Sequence, residues 1–192
     1  MFLTWHVDYW DHLGWEDPYG DPAHTRRQRA YGKAREQRTV WTPQFVVGNE
    51  IVPNREARGI PARVERLAKE AAPVSIEAEA VLHEGRVDVS VRLRPAAADW
   101  KPADTVSVLP VLYRRAVETP VASGENADRT VREFFVVLGA HAPLGVADAL
   151  AETGAGAAFE APAGVAAGDL GVAILVEDGD GLRTLQCAAV PV

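Results

Sequence analysis

Chemistry in this sequence could begin at a proline. Thr42-Pro43 opens a short apolar run, Phe45-Val46-Val47, which Gly48-Asn49 separates from a second run, Ile51-Val52. Gly-Asn between two β-favouring runs signals a hairpin, because the turn needs positive φ and these residues tolerate it. Proline has no amide proton, so it suits only the start or edge of a strand. The bond before it costs only about 0.5–1 kcal/mol in the cis form. Upstream, Tyr9, Trp10, Trp15 and Tyr19 crowd a single loop, YWDHLGWEDPYG. Rings of this size either pack a loop onto its domain or wall a groove beside Pro43. His6, Asp8, Asp11 and His12 are residues of metal-ligand type, and His6 and Asp8 share a strand face by the period of two. Their spacing fixes neither ligand number nor geometry. They read as groups that end a strand and pin the aromatic loop, and no metal or cofactor is expected.

The bulk properties narrow the field. The chain has 192 residues, 47% hydrophobic and 24% charged, which is ordinary for a globular protein. A net charge of −7 argues against a broad nucleic-acid surface, which needs clustered Lys and Arg to neutralise phosphates. No apolar run approaches the roughly 20 residues that span a bilayer. Phe2-Leu3-Thr4-Trp5 is too short for the apolar core of an export signal, so none is expected. The single cysteine, Cys187, leaves no dithiol pair in these residues and is expected to be buried and inert. Arg26, Arg27, Arg29, Lys33 and Arg35 read as a solvated basic helix face.

These groups must be held by regular elements. Residues 2–8 read as a strand. Asp21 as N-cap and Pro22 at the first position start a helix that runs to about Glu36. The hairpin follows, and a second helix is expected over about Arg55 to Ala72, firm from Pro61. After Pro73 the periodicity changes to alternation. Ser75–Val81 and Arg86–Leu93 flank His83-Glu84-Gly85 as a hairpin. Further strands are expected at Thr105–Arg114, Thr130–Leu138, Leu170–Glu177 and Leu182–Val190. Asp178-Gly179-Asp180-Gly181 turns the last pair, and lacks the further acidic ligands of a calcium loop. The Ala/Gly-rich stretch from Gly139 to Gly168 carries no clear period.

The runs HVDYWDHLGWEDPYGDPAHTRRQRAYGKA and TVWTPQFVVGN, with the later GENADRT (Gly124 to Thr130), resemble the thioredoxin-like family known as domain of unknown function 1223. The resemblance covers most of the chain. It implies that relatives are periplasmic or secreted, with an export signal, a strand and a CxxC-bearing helix before the HVDYWD strand. The chain starts at that strand, so the expected fold is α+β in two parts. Residues 1–73 would form a truncated thioredoxin-like domain, with its first strand and CxxC helix missing. Residues 74–192 would form an antiparallel β-sandwich-like domain. By the same resemblance Thr42 and Pro43 would be a cis-proline site that holds extended substrate backbone, with Trp10 and Trp15 walling it. Family-level thiol–disulfide activity is implied, yet no residue here could be catalytic for it. The alternatives are a non-catalytic peptide- or protein-binding module and an inactive truncated remnant. Strand 2–8 would lack its parallel neighbour, so the true start would lie upstream of Met1, the chain would be a fragmentary remnant, or another strand would fill the gap; an open sheet edge would also allow a dimer. The expected partner is an extended peptide or protein substrate, not nucleic acid or a membrane.

Overall fold

Asp21 and Pro22 start the first regular element. The computed structural model describes residues 2–124, 126–179 and 182–192. Helix α1 is Pro22–Ala34, and the Asp21 carboxylate accepts a hydrogen bond from the Ala23 amide at 2.6 Å. That contact satisfies one of the donors a helix start leaves free. Strands β1 (Phe45–Val47) and β2 (Glu50–Val52) pair antiparallel, with Phe45 opposite Val52. Gly48 turns between them at φ 62°, and the Leu67 side chain lies 3.1 Å from where a Cβ would stand. The second helix is shorter than its periodicity suggests. A 3-10 segment, Asn54–Gly59, precedes α2, Ile60–Leu67. Pro61 explains the break, since a ring without an amide proton fits only the first turn of a helix.

Alternation takes over at Val74. Strands β3 (Val74–His83) and β4 (Arg86–Pro95) stay in register throughout. Their turn sets Glu84 at φ 50° and Gly85 at φ 79°, the two positive values that a tight hairpin demands. Strands β5 (Ser107–Pro120) and β6 (Thr130–Ala140) both outrun their expected lengths. The Ala/Gly-rich stretch folds as β7 (Leu144–Gly145), α3 (Val146–Leu150) and β8 (Ala155–Glu160), and β8 adds to β4. Strands β9 (Leu170–Asp178) and β10 (Arg183–Pro191) close the chain as an antiparallel pair. Asp180 and Gly181 of their turn, and Glu125 of the GENADRT run, lie outside the described residues.

The result is α+β, mostly antiparallel. One sheet runs β3-β4-β8, and the other runs β10-β9-β5-β6 with β7 on the start of β5. Val87, Val91 and Leu93 of β4 meet Leu112, Val172 and Ile174 in the core between them. The far face of the larger sheet is covered too. There Leu109, Val111, Tyr113, Ala173 and Leu175 pack under Leu3 and Trp5. This explains why β9 is buried along nearly its whole length, as its unbroken apolar run LGVAILV implies.

Residues 2–8 and Cys187 also depart from expectation. Among the described residues, 2–8 make only one strand-like contact, a parallel bridge from Thr4 to Val136 of β6. The Thr4 amide donates to the Phe135 carbonyl and the Val137 amide donates to the Thr4 carbonyl, both at 2.9 Å. Leu3 and Trp5 pack their side chains on the larger sheet, and His6 faces Glu133 of β6. Cys187 is exposed, not buried. A bulge between Thr184 and Gln186 inverts the pleat of β10, an edge strand, and Cys187 faces solvent.

Gly171 of β9 lies directly beneath the Tyr113 ring, where a Cβ would overlap the phenol. Gly171→Ala should therefore lower the free energy of unfolding by about 1–3 kcal/mol. Gly139→Ala, with nothing within 4 Å of its Cβ, should change it by no more than about 0.5 kcal/mol. Urea denaturation of both variants checks the packing of this face.

Candidate functional site: the aromatic loop and the hairpin entry

Helix α1 is the scaffold on which the chemistry-bearing loop and the hairpin meet. Its inward stripe is Arg27, Tyr31 and, at the C-cap, Arg35, spaced four residues apart. Arg27 grips Glu177 of β9 with both guanidinium arms, one at 3.1 Å from Nη1 to Oε2 and the other from Nη2 to Oε1. Nη2 also donates to the Tyr31 hydroxyl at 3.1 Å. The guanidinium carbon lies 5.1 Å from the centre of the Trp5 ring and 5.3 Å from that of Tyr31. The Glu177 side chain is 2% exposed and that of Arg27 is 21% exposed. Burial by itself would pull the Arg27 pKa down, but the Glu177 carboxylate and Tyr31 hold it above its usual value. Arg35 donates to the Asn49 carbonyl in the β1–β2 turn, and to the Leu182 carbonyl at 2.9 Å. One helix thus ties the hairpin to the larger sheet.

His6 fixes the other end. Its Nδ1 lies 2.6 Å from Asp17 Oδ2, and its Nε2 faces Glu133 of β6 at 3.4 Å without hydrogen-bond alignment. Burial opposes the imidazolium, yet the two carboxylates prevail and raise the His6 pKa to about 9. Asp17 is lowered in return: burial would raise it, but the hydrogen bonds from His6 and the Tyr19 amide, with the charge of His6, together outweigh that. His24 of α1 is displaced the other way, lowered by burial, and its Nδ1 donates to the His6 carbonyl at 2.9 Å.

Between these anchors the loop reaches the hairpin. The Tyr9 hydroxyl donates to Gln28 Oε1 at 3.1 Å, and Gln28 Nε2 donates to the Trp41 carbonyl at 2.8 Å. The Trp10 indole donates to Thr42 Oγ1 at 2.9 Å. The Thr42–Pro43 peptide bond is cis. Trp10 is 48% exposed, its ring 5.2 Å from that of Tyr9 and 6.4 Å from the stacked His12 ring.

Of the residues expected at the site, Trp10, Thr42 and Pro43 come together. Trp15 lies elsewhere, against Gly124 in the β5–β6 loop, where the Ser123 hydroxyl donates to the Gly14 carbonyl. His6, Asp8, Asp11 and His12 also part company. Asp8 accepts from the Thr25 hydroxyl at 2.5 Å, Asp11 accepts from the Asp17 amide at 3.2 Å, and His12 stacks on Trp10. Sequence reasoning missed Gln28, Asp17 and Glu177. Glu177 did leave a signal, as the first charge to follow the apolar run of β9.

The family described as "Protein of unknown function (DUF1223)" matches residues 1–177. The chain belongs to that family. The match ends on Glu177, so both partners of the Arg27–Glu177 pair fall inside the DUF1223 region. No curated protein matches the sequence. Among solved structures, the fold is similar to that of AGR_C_4864 from Agrobacterium tumefaciens, at 19% identity and a TM-score of 0.63, covering 97% of this chain and 78% of that one. A domain of the outer membrane lipoprotein Omp28 from Porphyromonas gingivalis aligns at 14% identity and a TM-score of 0.33, over 64% of this chain and 90% of that one.

Removing either partner strands the other as a buried charge. Arg27→Met or Glu177→Gln should each cost about 3–5 kcal/mol, and Arg27→Met with Glu177→Leu much less than their sum. A double-mutant cycle in urea measures the difference.

The His6 contacts make stability depend on pH. His6 binds its proton more tightly folded (about 9) than unfolded (6.5). Its stabilisation is therefore full below about pH 6.5 and lost as pH rises through about 9. The stability gap between the wild type and His6→Gln should shrink over that interval. An NMR titration of the His6 ring should show its midpoint well above that of a free histidine.

Proposed function

We propose that this DUF1223 chain is a thioredoxin-like binding module that holds an extended segment of peptide or protein at Thr42 and Pro43, with no dithiol chemistry of its own. The hydrogen bond from the Trp10 indole to Thr42 Oγ1 carries this reading. It sets a half-exposed aromatic face beside the backbone that enters β1. An extended ligand needs that pair of features, a strand edge for its backbone and an apolar wall for alternate side chains. Among the described residues β1 pairs only with β2, which supports the reading by leaving its other edge free. In this account residues 1–73 are the recognising part and residues 74–192 their support, and Trp15 anchors the loop.

Thiol–disulfide exchange within one chain needs an attacking thiolate and a second thiol to resolve the mixed disulfide. Cys187 is the one cysteine, and it lies on β10. An insulin-reduction assay on the 192-residue chain should show no turnover. Extended peptides should perturb tryptophan fluorescence, and Trp10→Ala should weaken their binding by about tenfold or more, as for a contact worth over 1 kcal/mol. Clear turnover, or binding indifferent to Trp10, would overturn the proposal.

A further inference from the structure

Helix α1 carries basic residues and no acidic one, within a chain of net charge −7. The structure divides those residues into two stripes. Arg27 and Arg35 face inward and are consumed by Glu177, Asn49 and Leu182. Arg26, Arg29 and Lys33 share the opposite face, three and four residues apart, and all are exposed. Among the described residues none of the three has an ion-pair partner, whereas Arg63 of α2 pairs with Glu50 and Glu56. Like charges at this spacing repel, so the stripe is a cost that an anionic partner would relieve.

The stripe is continuous with the peptide site. Arg26 and Arg29 line a cleft of about 220 Å³ together with Tyr9, Pro22, Thr25 and Asp8. Tyr9 stands against Trp10, and Trp10 against Thr42. Asp8 is partly covered and already engaged by the Thr25 hydroxyl, so the exposed charges at the rim are the two guanidinium groups. Resting on the binding reading above, we infer that the segment held at Thr42 and Pro43 is an acidic peptide, whose carboxylates meet Arg26, Arg29 and Lys33 along the outer face of α1. A duplex or an anionic bilayer fits less well. The stripe is one helix wide and is followed at once by the exposed Glu36, whereas phosphate surfaces call for broad positive patches.

The test is calorimetric titration of the full chain with extended peptides of equal length, in which threonine alternates with glutamate, glutamine or lysine. At low salt the glutamate peptide should bind roughly tenfold tighter than the glutamine peptide, and the lysine peptide weakest. The preference should vanish in the surface variant Arg26→Gln/Arg29→Gln/Lys33→Gln and fade as salt is raised. If the glutamine peptide binds as tightly as the glutamate peptide and depends on Trp10, the acidic preference is overturned while the peptide site stands. If the glutamate preference needs the stripe but ignores Trp10→Ala, the acidic surface stands and the Thr42 site falls. Binding of phosphatidylserine vesicles or duplex DNA in preference to the glutamate peptide overturns the inference, and silence from every peptide overturns both.

Discussion

The ion pair between Arg27 and Glu177 is the constraint on which the arrangement of this chain turns. Helix α1 reaches the larger sheet through the Arg27 side chain at Glu177, so its place there depends on side chains. A buried carboxylate at the end of an apolar strand, as Glu177 is on β9, is costly unless it is paired and hydrogen-bonded. Arg27 satisfies both demands with two parallel bonds, and Trp5 and Tyr31 flank its guanidinium. Such a pair need not outperform apolar packing of the same volume. Its contribution here is direction: a fork meeting a carboxylate permits one helix register, where a greasy contact would permit several.

The rest of the N-terminal region inherits that register. Gln28 follows Arg27 by one residue, and so presents its amide to Tyr9 and the Trp41 carbonyl on an adjacent face. Arg35, two turns on, reaches the β1–β2 turn. Trp10 can then meet Thr42 because both ends of its loop are fixed, by His6 at Asp17 and Glu133 and by Trp15 at Gly124. The candidate site is thus assembled from four chain segments, and the antiparallel sheets supply the rigid base beneath them.

What could be read from the sequence follows from the range of the forces involved. The Asp21-Pro22 helix start, the Gly48-Asn49 turn and the β3–β4 hairpin are set by neighbours in the chain, and the structure has them where local chemistry puts them. Trp10 beside Thr42 was legible as an aromatic loop preceding a proline-led strand. The position of Trp15 was not, because it depends on the bare backbone at Gly124, more than a hundred residues away. The fate of residues 2–8 turns on β6, and the exposure of Cys187 on one bulge in β10. The small residues of β8 make a weak pattern, and they become a strand only because β4 offers an edge. The thioredoxin-like reading of residues 1–73 rests on motif resemblance.

Native-state hydrogen exchange is the most direct measure of whether α1 and the larger sheet form one body. Amides in the middle of α1 should exchange only through the opening that frees those of β9, with matching free energies and matching dependence on denaturant. If α1 instead exchanges orders of magnitude faster than β9, at a free energy insensitive to denaturant, then the helix opens by itself. The Arg27–Glu177 pair would not be what holds the site together.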